Sequence, residues 1–589
     1  MKDIIKNQKL FFISLIGIVV VSLVMGTTYA YQTLQVDYEE GSSSNLGGNG
    51  LQTPKLEVNF NVTCKEGKTC DEENDNYNRI NLTNMPLLPD YKTADYTEFT
   101  LNNNSTSDVA YKINLIDLTY SPNLATSDFK YTVTEIEDGK ETIKFEGDFS
   151  NLNSNIFNAM PYTYFEKNTT KKLRIYIWLK ETESDQNGLE NTSFQGKIEI
   201  ESLFLSDIPK LNDVIIASAK EAVTNNDSTR TLYNETFDLN NITGVSAETD
   251  RMLAVAEDDY GTSYVFRGAV KDNYVNFAGF TWRIVRINGD GSIRLILDGS
   301  LDKVSKDGVA VYTNSNLQAI DSDGIVEFKT SPYNDNAYVG YMFGEFDTNS
   351  TSYDEAHQNK KSSTIKTYVD AFYKEYLSLY QDDYIADALF CGDKTLASIS
   401  IGSDNKRTGF GTGTINKTYY AATERLYYST GTTSITTAKP TLECASSKNA
   451  TDTLTEKQRV YSRYTSNIDS STNTSKGVLV NNDLTYPIGL LSADELVMAG
   501  AFTSKNNTSY YLYDAYKNGL SYNYWWTMSP NRFTGSSAYE FTSITTGLSL
   551  YYDIVNFTHG VRPVINLKAG ILLNDGEGTV SSPYEILEY

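Results

Sequence analysis

Histidine, cysteine and basic charge are scarce in this chain of 589 residues. It contains 2 His and 4 Cys, which excludes most multi-histidine metal sites and haem chemistry. Its 50 Lys and Arg are outnumbered by 75 Asp and Glu, which gives a formal net charge of −25. This negative field repels phosphate backbones, and no basic stripe compensates for it, so nucleic acid is excluded as a partner.

Tyrosine is abundant instead, with 44 Tyr and 25 Phe against 4 Trp. Such a tyrosine content beside many Asn, Thr and Ser is typical of β-rich proteins with polar loops. Hydrophobic residues make up 40% of the chain and charged residues 21%, so the chain can bury apolar cores. Its length predicts about two to four domains.

The first residues follow a pattern typical of export. Lys2, Lys6 and Lys9 precede an apolar run over residues 10–25, which indicates a signal peptide or signal anchor within residues 1–31. Small residues at Thr28 and Ala30 predict cleavage after Ala30. The alternative is an uncleaved single-pass anchor with the rest of the chain outside the membrane. Both versions predict an extracellular, cell-surface protein.

The four cysteines agree with an oxidising compartment. They permit three connectivities, and we favour Cys64–Cys70 with Cys391–Cys444 because each pair lies within one predicted domain. The alternative is four free buried thiols, which is less common outside the cell.

Residues 32–50 end in a Gly/Ser-rich stretch and predict a flexible linker. Residues 51–205 alternate between apolar and polar positions, which predicts a β-sandwich. The apolar positions with period two are Leu56, Val58, Phe60 and Val62; Val109, Tyr111, Ile113 and Leu115; Leu173, Ile175, Ile177 and Leu179; and Phe194, Ile198 and Ile200.

Residues 206–257 form a predicted helical connector, or a helix packed on a neighbouring domain, with the helix over 211–223. Residues 258–589 predict an α+β domain, so the whole chain is expected to be multi-domain and mainly β. Residues 288–292 predict a hairpin, and a capping box from Ser492 to Glu495 predicts a short helix that ends at Gly500. One helical face is predicted from Ile365, Tyr368, Val369, Phe372, Tyr376 and Leu379. Strands are predicted at 525–526, 539–541, 548–552 and 561–567. Residues 446–475 are interpreted as a loop-like insertion of low complexity.

Part of the predicted sandwich resembles a known family. The TasA/camelysin-like sandwiches of exported bacterial proteins are resembled by residues 104–114 (NSTSDVAYKIN), 173–180 (LRIYIWLK), 185–187 (DQN) and 194–200 (FQGKIEI). Residues 26–30 (GTTYA) resemble the signal region of the same proteins. Camelysins have been described as metalloproteases. That activity is not carried over, because residues 51–205 contain no histidine.

The carboxy-terminal domain carries a second resemblance. The segments YVFRG (264–268), YVNFAGFTWRIVRIN (274–288), YPIGLLSADE (486–495), WWTMSP (525–530) and GVRPVINL (560–567) resemble a family of surface domains from Firmicutes and related gut bacteria. Its carboxy-terminal half is similar to the formylglycine-generating-enzyme and C-type-lectin-like fold. Enzymes of that fold use a copper-binding cysteine pair near the carboxy terminus, and here the last cysteine is Cys444, so oxidase activity is not implied.

Few residues suggest metal or catalytic chemistry. Segments 288–291, 321–324 and 575–578 combine acidic residues with glycine, but none supplies the ligands of an EF-hand, so hairpin turns are favoured and calcium is unsupported. No cofactor is predicted. His357, in a predicted loop, and His559, in a predicted turn, are the only imidazoles, and no G-x-S-x-G elbow accompanies them. A glycosidase would need only two carboxylates, but no family pattern supports one.

A ligand-binding surface is predicted near the last strands. Trp525 and Trp526 are adjacent on a strand and therefore face opposite sides, so one is expected in the core and the other free to stack on a sugar or peptide; the alternative is that both are buried. Lectin-like folds often contact ligands in the following segment. The candidate ligand-binding residues are Trp525, Trp526, Asn531, Arg532, Tyr551, Tyr552 and Asn556.

These observations predict a bacterial surface protein without catalytic activity. Its β-sandwich stalk would present a lectin-like domain for adhesion, with a glycan or a protein as ligand. One alternative is a subunit of an extracellular matrix fibre that self-assembles by strand exchange. A second alternative is a surface hydrolase.

Overall fold

A computed structural model describes residues 54–61, 78–189, 191–243, 250–299, 301, 305–306, 309–310, 326–329, 332–398, 408–427, 437–449, 452–467, 474–503, 507–513, 524–544 and 550–588. The predicted export segment, the linker, the Cys64–Cys70 pair and segment 321–324 lie outside these residues. Within them, no helix is long and apolar enough to cross a membrane. The chain divides into two compact units: unit 1 comprises residues 1–209 and 587–589, and unit 2 comprises residues 210–586.

Unit 1 is built from strands that pair antiparallel, except for the short strand Leu87–Leu88, which pairs parallel with the strand Thr170–Lys180. Its strands are β1 Leu56–Asn61, β2 Arg79–Thr83, β3 Leu87–Leu88, β4 Tyr96–Asn103, β5 Val109–Tyr120, β6 Phe129–Glu137, β7 Lys140–Asp148, β8 Phe157–Phe165, β9 Thr170–Lys180 and β10 Ser193–Phe204. One sheet has the order β1-β4-β9-β6-β7, with β3 beside β9, and the other has the order β2-β10-β5-β8.

The apolar faces of these sheets form the core of unit 1. Phe99, Leu173, Val133 and Phe129 from the first sheet lie in one cluster with Ile113 and Phe194 from the second, which is the arrangement of a β-sandwich. The predicted sandwich is thereby confirmed over the described residues of this region.

Unit 2 contains many short strands and a few helices. Its strands are β11 Leu232–Asn234, β12 Ile242–Thr243, β13 Arg251–Asp258, β14 Gly261–Gly268, β15 Tyr274–Phe277, β16 Phe280–Ile287, β17 Ile293–Leu297, β18 Ser305–Lys306, β19 Val309–Ala310, β20 Val326–Glu327, β21 Met342–Phe343, β22 Lys361–Ser362, β23 Phe390–Cys391, β24 Thr418–Tyr419, β25 Thr437–Ala438, β26 Arg463–Tyr464, β27 Thr474–Ser475, β28 Val478–Leu479, β29 Tyr524–Phe533, β30 Ala538–Ile544, β31 Leu550–Ile554, β32 Thr558–His559, β33 Val564–Leu567, β34 Leu573–Asp575 and β35 Tyr584–Ile586. Its described α-helices are α1 Leu211–Thr224, α2 Tyr353–His357, α3 Thr364–Tyr376, α4 Gln381–Tyr384, α5 Ala421–Leu426, α6 Glu456–Arg459 and α7 Ala493–Ala499.

Two sheets dominate unit 2. A nine-stranded sheet has the order β11-β13-β14-β16-β15-β35-β34, with β17 joining β16 to β33. A four-stranded sheet has the order β24-β29-β30-β31. Their buried residues belong to one apolar cluster, into which α1 packs Leu211, Ile215 and Ala219, so this helix is part of the core of unit 2.

Several local predictions are confirmed in unit 2. Strands β16 and β17 pair antiparallel across the predicted hairpin. At the start of α7 the Ser492 hydroxyl accepts the Glu495 N–H and the Glu495 carboxylate accepts the Ser492 N–H, so the capping box is present, and the helix ends at Gly500. Helix α1 begins at Leu211 as expected.

The predicted helical face after Ile365 is wrong at its end. Helix α3 buries Ile365, Val369 and Phe372, but Leu379 is 92% exposed. The helix ends at Tyr376 and a 3₁₀ turn over Ser378–Tyr380 follows, so the period of 3.6 no longer applies at Leu379.

The interpretation of residues 446–475 as a loop-like insertion is also wrong in part. Thr455 and Gln458 form a capping box that starts α6, and β26 pairs with β23 beside the disulfide between Cys391 and Cys444. Tyr464 is fully buried. A composition rich in Asn, Thr and Ser therefore conceals a buried strand, and the predicted Cys391–Cys444 pairing is confirmed.

Candidate functional site

Strands β29, β30 and β31 present a group of half-buried aromatic side chains around one arginine. We call this group the tyrosine face; it consists of Tyr524, Arg532, Tyr539, Tyr551 and Tyr552. Antiparallel pairing places Arg532 opposite Tyr539 and Phe541 opposite Tyr552. Cross-strand neighbours on one face of a sheet lie within contact distance, so the ladder brings Arg532 to Tyr539. Tyr551 and Tyr552 follow one another on β31, opposite Thr542 and Phe541, and join the group through ring contacts.

Arg532 is the centre of the tyrosine face. Its guanidinium carbon lies 4.2 Å from the ring centroid of Tyr552 and 4.8 Å from that of Tyr539. An arginine held between two aromatic rings is oriented by cation–π attraction. The guanidinium therefore lies between two ring faces of the tyrosine face.

The remaining rings continue the same surface. Tyr551 and Tyr552 stack with centroids 5.0 Å apart and an interplanar angle of 5°, and Tyr524 lies 6.4 Å from Tyr551. Burial raises the pKa values of Tyr524 and Tyr551, so their hydroxyls stay neutral. Rings of this kind offer an apolar plane and a polar tip to one ligand.

Both tryptophans lie in the interior. Trp525 is 5% exposed and Trp526 is 0% exposed, so the expectation that one of them faces outward is wrong. Trp526 packs against Phe328 and His559, and the guanidinium of Arg562 lies 5.1 Å from the Trp525 ring. Helix α7 and the backbone at Gly560 both contact β29. Alternation along a strand that is covered in this way does not bring a side chain to solvent.

The other predicted ligand residues divide between surface and interior. Arg532, Tyr551, Tyr552 and Asn556 are half-buried, and the first three come together in the tyrosine face. Asn531 is fully buried, so its expected position at the surface is wrong. Sequence reasoning missed Tyr524 and Tyr539; the strand pairing that adds them is not visible from residue types.

The two histidines are engaged by partners other than serine or cysteine. His357 ends α2 rather than lying in a loop, and its Nε2 is 3.2 Å from the Tyr420 hydroxyl. Burial holds its pKa well below the ordinary value. His559 lies in β32 rather than in a turn, with Nε2 3.2 Å from Asp553 Oδ2 and its ring stacked on Tyr524. Both act as structural links in this arrangement.

Unit 2 also buries an ion network. Arg286 contacts Asp258 Oδ2 at 2.6 Å and Glu495 Oε1 at 3.0 Å, and Arg294 contacts the same Glu495 oxygen at 2.6 Å. Burial alone would raise the pKa of Glu495, but Arg294 and Arg286 lower it to about 2.

A small cavity lies next to this network. Its volume is about 20 Å³, which is room for about one water molecule. Asp259 lines it, and burial raises the pKa of Asp259 to about 6. The charges of the network that lines this space are paired with one another, so the network is part of the fold.

Metal binding finds no support in the part of the chain that the structure describes. It contains no group of three or more His, Cys, Asp or Glu side chains arranged to hold an ion. Residues 288–291 form the turn between β16 and β17, and residues 575–578 lead from β34 toward β35. The first is a turn, as expected, whereas the second is the end of β34 with the two residues and the bend that follow, and the turn itself lies at Thr579–Ser582.

No protein-family model and no curated protein matches the chain, so the two family resemblances stay predictions. Among solved structures, CpGH89CBM32-6 produced by Clostridium perfringens is similar over 26% of this chain and 94% of its own, with 15% identity and a TM-score of 0.13. A mutant of Xylanase10C from Cellvibrio japonicus in complex with xylopentaose is similar over 26% of this chain and 29% of its own, with 12% identity and a TM-score of 0.14. Because both TM-scores are low, these likenesses assign no ligand to this chain.

Proposed function

We propose that this chain is an exported bacterial surface protein whose unit 2 binds a glycan through the tyrosine face. The observation that carries the proposal is Arg532 held between Tyr539 and Tyr552, beside the stacked pair of Tyr551 and Tyr552. Sugar rings present C–H groups on one side and hydroxyls at their edges. Half-buried tyrosines match the first and arginine N–H groups match the second.

The chemistry of this face favours an uncharged or acidic glycan. Arg532 supplies a cation to this face in a chain whose net charge is −25, and Asp553 lies near Tyr524 and Tyr551. Tyrosine rings held by their neighbours lose little conformational entropy on binding. Adhesion to a glycan-bearing surface is the role that such a face would serve.

We further propose that unit 2 acts by binding and not by catalysis. General-base catalysis at neutral pH most often uses histidine, and the hydrogen-bond partners of the two histidines are a tyrosine hydroxyl and a carboxylate rather than a serine or cysteine nucleophile. A carboxylate pair would be the alternative for a surface hydrolase.

Export is supported by cysteine chemistry together with the amino-terminal pattern. The disulfide between Cys391 and Cys444 is typical of an oxidising compartment. Lys2, Lys6 and Lys9 before the apolar run 10–25 would direct the chain there.

Glycan binding is tested with the purified full chain on a glycan array and a protein array, with and without calcium. We expect a specific glycan signal that calcium does not change. Tyr551→Ala and Arg532→Ala should weaken it about fivefold each, because stacking and cation–π contacts are worth about 1 kcal/mol. Titration calorimetry with the best glycan gives the affinities.

The matched control lies elsewhere in unit 2. Tyr233 also lies under a cation, with Lys220 Nζ 5.0 Å from its ring centroid, so Tyr233→Ala removes a similar pair without touching the tyrosine face and should leave the affinity unchanged. Glycan affinity that is unchanged in both Tyr551→Ala and Arg532→Ala would refute the proposal. Fibre formation by the full chain without glycan binding would favour the matrix subunit instead.

A further inference from the structure

Lys394 is an amine enclosed by the interior of unit 2. The residue is 0% exposed, and its Nζ donates to the carbonyl oxygens of Met342 at 2.8 Å and His357 at 3.3 Å and to Asn359 Oδ1 at 2.6 Å. Gly340 makes the space for it: a Cβ there would lie 2.9 Å from Lys394 Cε, and its φ of +84° also suits glycine.

The carboxamide of Asn359 is held from all sides. Its Nδ2 donates to the carbonyl oxygen of Tyr461 and to Asp483 Oδ2, both at 2.9 Å. Its Oδ1 accepts from Lys394 and also from the Tyr464 hydroxyl at 3.1 Å. Two donors on the oxygen draw electron density from Cγ, and a carboxyl group faces the nitrogen.

The amine is within reach of the carboxamide carbon. Lys394 Nζ is 2.6 Å from Oδ1, and a C=O bond is about 1.2 Å long, so Nζ lies at most about 3.8 Å from Cγ. Reacting atoms in well-positioned intramolecular reactions are separated by about 3–3.5 Å. A shift of Nζ by a few tenths of an ångström is enough to bring it that close to Cγ, and a rotation about the last side-chain bond of Lys394 would place it above the plane of the carboxamide.

The protonation states suit this pair of groups. The three acceptors around Nζ match the three N–H groups of the ammonium form. Burial lowers the pKa of Lys394 to about 7, against the opposing effect of Asp483 and Glu540, so the amine can lose a proton at neutral pH and expose the lone pair that a nucleophile needs. Burial also raises the pKa of Asp483, which makes its carboxyl group a better proton carrier.

We propose that Lys394 and Asn359 join in an intramolecular amide bond, with Asp483 as the group that moves the proton. The Nζ lone pair attacks Cγ of Asn359, and the negative charge that develops on Oδ1 is stabilised by the Tyr464 O–H. The Cγ–Nδ2 bond then breaks. Asp483 passes a proton from Nζ to Nδ2, ammonia leaves, and the carboxyl group of Asp483 is restored, so no oxidant or other reactant is consumed.

The bond would add a second covalent cross-link to the part of unit 2 that contains the disulfide. It links positions 35 residues apart, whereas Cys391 and Cys444 are 53 residues apart. Lys394 follows Cys391 by three positions. This short segment would therefore carry two covalent cross-links, the disulfide to Cys444 and the amide to Asn359. The amide would survive reducing agents that open the disulfide.

Mass spectrometry of the full chain after reduction of disulfides tests the bond directly. We expect the folded wild-type protein to be lighter than its sequence by one ammonia. Digestion with trypsin should then yield the peptide of Asn359 joined to the peptide of Lys394, and trypsin should fail to cut after Lys394.

Variants assign the roles. Lys394→Met and Asn359→Ala should have the full mass of their sequences. Asp483→Asn keeps both reactants and should slow bond formation by about 10²-fold, as expected for loss of a general acid–base group. Lys366 is the matched control: it is equally buried, but its Nζ contacts Asp370 and Thr485 and no carboxamide, so Lys366→Met should still lose ammonia.

The wild-type mass alone can overturn the proposal, whatever the variants do to folding. Full mass in the folded wild-type chain, or loss of a water that places the link on Glu540, would each refute the Lys394–Asn359 bond. Bond formation by Asp483→Asn at the wild-type rate would refute the role of Asp483. Glycan binding is measured separately, so either result is independent of the proposed function.

Discussion

In unit 1, Glu98 contacts Lys172 and Arg174 in an ion group whose two cations are 43% and 23% exposed, while the core cluster between the sheets is apolar. In unit 2, Arg286, Arg294 and Glu495 form the corresponding group with side chains 2–7% exposed. Unit 1 therefore separates charge from core as a simple sandwich does. Unit 2 places charge inside the core.

This difference changes what holds each unit together. Apolar packing tolerates substitutions of similar volume, whereas a buried charge network needs every partner in place. The short strands of unit 2 supply few ladder hydrogen bonds each, and its side-chain network joins segments far apart in sequence, such as Arg286 to Glu495 over 209 positions. Changes to charge should therefore affect unit 2 more than unit 1.

The largest effect is expected from Glu495→Ala. It leaves Arg286 and Arg294 buried beside each other with only Asp258 as counter-charge, so unit 2 should lose about 3–5 kcal/mol of unfolding free energy. Hydrogen exchange of peptides from the full chain in denaturant reports each unit separately.

Phe129→Ala is the matched change in the other unit. Phe129 is fully buried in the apolar core of unit 1, and truncation should cost about 3–5 kcal/mol, seen only in peptides of unit 1. A loss below about 1 kcal/mol for Glu495→Ala would mean that the network is not what holds unit 2.

A moderate effect is expected from the pH dependence of Glu540. Burial raises the pKa of Glu540 well above 4.5, against the Gly340 N–H and Lys394. The folded state then binds the proton that the unfolded state releases, so unit 2 should become less stable as the pH rises above about 4.5, by up to about 1.4 kcal/mol per pH unit. Below both pKa values the proton is bound in both states and the dependence disappears.

Glu540→Gln should flatten that slope, because glutamine cannot ionise and still offers an oxygen to the Gly340 N–H. The readout is the unfolding free energy of unit 2 between about pH 5 and pH 7. The exposed Glu166 in unit 1 provides the control Glu166→Gln. Parallel pH profiles for wild type and Glu540→Gln would show that Glu540 does not hold a proton in the fold.

The smallest effect is expected from Lys197→Ala in unit 1. Lys197 Nζ is 2.8 Å from Asp117 Oδ2, with the side chains 36% and 58% exposed. Exposed pairs contribute about 0–1 kcal/mol, so hydrogen exchange of unit 1 should barely change. A loss of more than about 2 kcal/mol would mean that surface charge also stabilises unit 1, and the contrast between the units would disappear.

Local sequence patterns predict the parts of this fold that local forces determine. Period-two alternation identifies β5, β9 and β10, and Ser492 with Glu495 identifies the start of α7. Such signals depend on residues a few positions apart, so one sequence is enough to see them.

The interior polar groups of unit 2 could not be predicted in that way. Lys394 and Glu495 look like surface residues in the sequence, because burial of charge depends on partners hundreds of positions away or on backbone that no pattern encodes. The sequence predicts part of the tyrosine face. Arg532, Tyr551 and Tyr552 lie together there, whereas Trp525 and Trp526 are buried and cannot contact a ligand. Helix α7 and Gly560 cover β29. This contact joins segments that are not adjacent in the chain, so local sequence patterns do not predict it.

The pairing of β15 with β35 has a consequence for the way the chain is made. Asn276 hydrogen-bonds Glu585 across 309 positions, and β35 joins the nine-stranded sheet between β15 and β34. The ribosome makes the amino-terminal side first, so one edge of β15 stays unpaired until β35 has been synthesised. During that interval the exposed edge is a target for misassembly, more than in the sandwich, whose strands all precede residue 205.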